Sequence, residues 1–171
     1  MTGELHGAAR ASWHGIDFVA GIDADYMRGK GILFAGNVDA ENWSGLEVSM
    51  FAFNNEELIG AAVTALVSYA DQLEGLLIGG MSYARRWIGL IAGVVAMGEE
   101  GKGVMIGGLV SCDELYGVQM GGLCSAGYGR YLQIGLITER VNDDGTRSMT
   151  PLIGFRWEKP VRKYAELTYL D

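Results

Sequence analysis

An all-β fold, a β-solenoid of about nine coils of 14 to 16 residues, is what this sequence predicts, and three observations predict it. The first is a repeat. GLLIGGMSYARRWI starts at Gly75, GLIAGVVAMGEEGK at Gly89, GVMIGGLVSCDELY at Gly103, GVQMGGLCSAGYGR at Gly117 and YLQIGLITERVNDD at Tyr131, each fourteen residues after the last. Looser copies begin at Gly15, Gly31, Gly45 and Gly60, at spacings of sixteen, fourteen, fifteen and fifteen residues. Internal repetition of this kind marks a stacked, nearly one-dimensional architecture. The second observation is 27 glycines, with pairs at Gly79-Gly80, Gly107-Gly108 and Gly121-Gly122 in mid-unit. Each would cost a helix roughly 0.8 to 1 kcal/mol relative to Ala. The third is the apolar pattern: second, fourth and seventh positions (Leu76, Ile78, Met81; Val104, Ile106, Leu109) do not alternate by three and four, which excludes a coiled coil although fourteen is two heptads.

Each element follows in order. Residues 1–14 form an N-terminal cap, 15–143 the repeat and 144–171 a C-terminal cap with a turn at Asp144-Gly145 and a strand around Leu152 to Trp157. Within a unit, period two sends the second and fourth positions to the inside, and the Gly pair shifts the phase so that the seventh points inward again. The third position then points outward, so Leu77, Ile91 and Met105 make an exposed apolar strip near Trp87 and Tyr116, continued by Gln119 and Gln133. Such a strip is the candidate interaction site, for a second copy or another protein. Charges gather in the turns, as Arg85-Arg86, Glu99-Glu100, Asp113-Glu114 and Asp143-Asp144. The caps cover coil ends that would otherwise offer unpaired backbone groups to a neighbour.

Composition removes several functions. With 49% apolar residues among 171 the chain can build a core. A net charge of −8 with only 13 Lys and Arg, none in a run, argues against a nucleic-acid partner. His6 and His14 are the only histidines and show no ligand spacing, so neither a catalytic nor a metal site is expected. The acidic turns lack the calcium pattern of repeat toxins, and no Gly-Lys-Ser or Gly-Lys-Thr follows the glycines, so no cofactor is expected. Cys112 and Cys124 read as buried small residues rather than a disulfide, which leaves the redox compartment open. Thr forms no ladder of the ice-binding type, and the amino terminus MTGELHGAARASWHG shows no secretion signal. The longest uncharged stretches, Leu115 to Gly129 and Leu58 to Ala70, fall short of the ~18 residues of a spanning helix. Membrane association would require a small outer-membrane β-barrel, whose strands need only ~9 to 11 residues. That is the alternative to a non-catalytic structural or interaction module.

YLQIGLITER and GVQMGGLCSA, with AGNVDAENWSGLEV upstream and TPLIGFRW closing the pattern, resemble bacterial surface-repeat proteins of the leptospiral type. Those carry tandem Gly-Leu-Gln-x-Gly-Leu-x-Asn units followed by a Pro-containing strand. The likeness spans roughly Gly31 to Trp157, with Gln119 and Gln133 keeping the Gln and Ser111, Ser125 and Thr138 standing at the Asn. The resemblance implies an exported or surface protein of uncertain biochemical role, from a group not tied to a catalytic mechanism.

Overall fold

The computed structural model describes residues 5–6, 11–19, 22–23, 27–142 and 145–157. Among them there are six strands and no helix: β1 (Leu5–His6), β2 (Ala11–Val19), β3 (Ile22–Asp23), β4 (Met27–Thr64), β5 (Val67–Val141) and β6 (Arg147–Arg156). The protein is all-β. The expected caps fall partly on residues outside the described ones, as do the Asp143-Asp144 pair and the segment from Pro160 onward.

β4 and β5 are too long to run straight. At ~3.3 Å per residue a strand of 75 residues would reach about 250 Å, yet Gly60 pairs in parallel with Gly75 and Ala62 with Leu77. β2 pairs with β4 at sixteen residues, Gly15 against Gly31. Inside β5 the interval is fourteen: the Ser68 and Ser82 hydroxyls lie 3.0 Å apart, and Gln133 Nε2 donates to Gln119 Oε1 at 2.9 Å. Successive units therefore lie side by side, one ladder step of ~4.8 Å apart, and the sheet runs β2-β4-β5-β6. β1 and β3 form a separate parallel pair.

The first position of each unit explains its glycine. Gly31, Gly45, Gly60, Gly75, Gly89, Gly103 and Gly117 all have φ between 131° and 157°. A Cβ on any from Gly45 onward would sit 1.8 to 2.2 Å from the carbonyl oxygen of the glycine one unit before. Backbone stacks directly on backbone there. In the last unit Tyr131 takes the first position, and the positive φ moves to Gly129, over the Leu115 carbonyl.

Inward side chains come from positions three, five, eight, ten and thirteen. Leu77, Gly79, Ser82, Ala84 and Trp87 are buried in one unit; Met105, Val110, Cys112 and Leu115 occupy the same columns two units on. The predicted phase is thus corrected. Leu77, Ile91 and Met105 are 0% exposed and Trp87 2%, so they are core rather than an outward strip, while positions two, four and seven face out. The physical reason is space: fourteen residues enclose a narrow interior, which takes small side chains and one or two large ones per unit, and the other large apolar side chains are left outside. Neighbouring units compensate, since a Cβ at Gly101 would fall 1.9 Å from the Trp87 ring. That indole uses the room its neighbour leaves.

β6 closes the ladder antiparallel, pairing Tyr131 with Arg156 and Val141 with Arg147. The return is tied by Asn142 N to Thr146 O at 2.8 Å and Gly145 N to Asn142 O at 3.0 Å. Gly154 lies over the interior, where a Cβ would meet Thr138 Oγ1 at 2.6 Å and Gln133 Oε1 at 2.7 Å. Arg156 is buried and donates to the carbonyls of Gly127 (3.0 Å) and Val141 (2.8 Å). The register shifts between Gly135 and Ile137, and Leu152, paired with Gly135 at that shift, stands at φ 69° with its side chain exposed. That conformation is strained for a residue with a Cβ. Leu152→Gly should raise stability by roughly 0.5 to 1 kcal/mol, the relieved strain less the extra entropy of an unfolded glycine. An unchanged or lower urea midpoint would show that Leu152 packs in solution.

Candidate functional site

Because the interior claims the odd-phase positions, the large apolar residues that the sequence repeats are delivered to the surface. Val104 with Ile106, Val118 with Met120 and Leu132 with Ile134 stand in register on one side, and Ile106, Met120 and Ile134 are each 41% exposed. β6 extends this side with Ile153 opposite Ile134 and Phe155 opposite Leu132. No charged side chain interrupts those positions. Around the corner, Leu109, Leu123 and Ile137 form the seventh-position column and, with Val95, Met97 and Met149, line a groove of about 480 Å³ edged by Ser111, Ser125 and Glu139. Glu139 there holds Arg147 at 3.0 Å.

The edge between this side and the remaining, polar one carries a side-chain network that starts from the same ninth-position column. Tyr69 and Tyr83 stack with ring centroids 5.3 Å apart, and Arg85 sits between Asp71 (3.5 Å) and Glu99 (3.8 Å). Tyr69 donates to Asp71 and Tyr83 to Glu99. The hydrogen bond to Glu99, with desolvation and the charge of Glu99 added, pushes the Tyr83 phenol up to about 12. This network ties three units together and leaves neither tyrosine available as an acid or base near neutral pH.

Inside, the third-position column is polar at both ends. Gln119 and Gln133 each cross the interior to a carbonyl six residues on, Ser125 O at 3.0 Å and Glu139 O at 3.1 Å. At the other end Glu47 is fully buried, neither carboxylate oxygen has a hydrogen-bond partner among the described residues, and burial pushes its pKa up to about 9. Ser49, Asn55 and Thr64, also buried, point into the same stretch of interior.

Of the residues singled out in the sequence, Tyr116 alone is at the surface, 40% exposed and donating to Glu114 at 3.0 Å. Leu77, Ile91, Met105 and Trp87 do come together, but as packing. The exposed face was missed because its residues are the most apolar of each unit. The signal that locates the inside is the tenth position, which is small in nearly every unit: Ala70, Ala84, Gly98, Cys112, Ala126. Cys112 and Cys124 are free and buried, and burial, as the largest cause, pushes the Cys112 thiol up to about 12 and the Cys124 thiol also upward. Neither is a poised nucleophile. Among the described residues no three His, Cys, Asp or Glu side chains converge as metal ligands, and the side chains of His6 and His14 lie outside what is described. Comparison of the chain with protein-family models, curated proteins and solved structures finds no match.

Proposed function

We propose that this chain is a non-catalytic interaction module: a β-solenoid of about nine coils, capped at residues 1–14 and 144–171, that offers one apolar side to a partner protein. The observation that carries the reading is the uninterrupted outward column set from Val104 and Ile106 through Leu132 and Ile134 to Ile153 and Phe155. A contiguous exposed apolar patch on a folded chain marks an interface more often than bare surface. Three breaks of the inward alternation per unit, after positions five, ten and thirteen, favour a three-sided coil. Flat sides of parallel strands suit a flat partner, since sheets pack face to face at ~10 Å. The resemblance to leptospiral surface repeats supports an exported or surface setting.

The alternative is a small outer-membrane barrel. Against it weigh the parallel registers at sixteen and fifteen residues, because such barrels pair their strands antiparallel, and an interior filled by side chains. A photo-cross-linking residue placed at Met120 should yield one discrete protein adduct in the cells that make this chain, while the same residue at Asn54, exposed but away from that side, should not. Replacing Ile106, Met120 and Ile134 together by Thr should abolish that adduct and lower binding of a hydrophobic dye severalfold, with the β circular dichroism unchanged. Adducts to lipid, or a need for detergent to keep the protein in solution, would replace this reading with the barrel.

A further inference from the structure

The polar side carries a pattern that the apolar side lacks. Its outward rows are the twelfth position, Gln72, Arg86, Glu100, Glu114 and Tyr128, and the fourteenth, Glu74, Ile88, Lys102, Tyr116 and Arg130. All are exposed except Glu114, which is half-buried, and the residue between the rows points inward in every unit. Their alignment is fixed by Arg85 reaching both Asp71 and Glu99, by Gly103 and Gly117 lying on the carbonyls of Gly89 and Gly103, and by Gly127 lying on the Asp113 carbonyl. Charge therefore comes in bands, one per unit.

We propose that this side pairs with the same side of a second copy of the chain, the two running antiparallel about a two-fold axis that lies along the strand of the 89–102 unit. Such an axis keeps each row on itself and exchanges the units on either side of the centre. Arg86 then faces Glu114 of the other copy, Glu74 faces Arg130, and Ile88 faces Tyr116. Gln72 meets Tyr128, and Arg85 meets Asp113 at the rim. Glu100 and Lys102 lie on the axis, where each faces its own copy directly and has its opposite charge diagonally across.

Shifting the axis half a unit destroys this match. In one direction Glu100 faces Glu114 and Arg130 faces Ile88. In the other Arg86 meets Glu100, but Ile88 faces Lys102 and Gln72 faces Glu114. Centring on the neighbouring units sets Lys102 against Arg130, or sets Arg86 against itself with only Ile88 and no opposite charge diagonally across. Only the register centred on 89–102 pairs Arg86 with Glu114 and Glu74 with Arg130 together, and the isologous contact is closed, so it makes a dimer and not a fibre.

The contact is small. Five units at ~4.8 Å span about 24 Å, which with a width of roughly 15 Å gives a patch well below the ~800 Å² per partner of standard interfaces. Exposed ion pairs add little strength but set orientation and are screened by salt. The dimer is accordingly weak and salt-sensitive.

The inference rests on the stacked coils and not on the apolar face, and a charge swap in the full chain tests it. Sedimentation velocity across a concentration series should show reversible dimerisation that weakens when salt rises from 0.05 to 0.5 M. Arg86→Glu alone and Glu114→Arg alone should each raise the dimer dissociation constant about tenfold or more, and the double variant should recover it, since each exchanged charge again meets its opposite. Glu74→Arg with Arg130→Glu provides an independent swap, and circular dichroism confirms that each variant keeps its β spectrum. Monomer at every concentration, dimers indifferent to both single changes, or a double variant no tighter than the singles would overturn the proposal. Dimers lost in the Ile106, Met120 and Ile134 variant but untouched by the swaps would also overturn it, and would move self-association to the apolar face.

Discussion

Gly103→Ala should unfold the protein or destabilise it by more than about 4 kcal/mol, a size reserved for substitutions with a named structural fault. Two faults coincide. The backbone at Gly103 has φ 142°, a conformation nearly closed to residues with a Cβ, and the new methyl group would stand 1.9 Å from the Gly89 carbonyl oxygen. Relief would require the two units to move apart and release the ladder between them, and because each unit stacks on the next the damage would spread to both sides. Gly145→Ala separates the causes: its φ is 82° with nothing within 4 Å of the added atom, so it should cost only about 1 kcal/mol of turn strain. Urea unfolding followed by circular dichroism gives both values. Similar midpoints for the two variants would mean that the glycine column is not the tight axis described here.

The second large effect is a loss of stability with rising pH that one side chain controls. Among the described residues Glu47 has no hydrogen-bond partner, and burial raises its carboxyl from 4.5 to about 9. A group whose folded pKa lies above its unfolded value is fully stabilising only below the unfolded value. Its contribution is lost as pH rises through the window up to the folded pKa. Stability should therefore fall between pH 4.5 and 9, by an amount on the order of 5 kcal/mol if the interior stays shut. Glu47→Gln keeps the shape and cannot ionise. It should flatten this slope and, near pH 7, stabilise the chain by roughly 3 kcal/mol. Thermal midpoints of both proteins from pH 5 to 9 decide the matter: parallel curves would mean that Glu47 reaches water or an unrecognised cation. A polar group so placed is locally costly, which makes the stretch around Ser49, Asn55 and Thr64 the weak point of the stack.

Much of the backbone arrangement was legible in the sequence, because a residue that must pair with its own copy one unit away leaves its spacing in the chain. The glycine starts at 15, 31, 45, 60 and 75 give intervals of sixteen, fourteen, fifteen and fifteen residues, and Gly15 against Gly31 and Gly60 against Gly75 are registers the structure contains. The mid-unit glycines excluded helix for the same kind of reason, a local backbone cost that needs no tertiary information. The buried state of Cys112 and Cys124 followed from their size and position within the unit.

The sequence by itself determined the all-β class and the period at which the chain stacks on itself, since both are set by glycine and by local alternation. Which alternate residues face inward was decided only by the tertiary structure. Leu77, Ile91 and Met105 are as apolar as Ile78, Ala92 and Ile106 beside them, so polarity cannot choose between the two phases. The choice is made by volume: positions five, eight and ten, with Gly79, Ser82 and Ala84 in one unit, are small enough to share the interior with Leu77 and Trp87. The opposite phase would force Leu76, Ile78 and Met81 of every unit into the same narrow space, and close-packed interiors do not admit that excess.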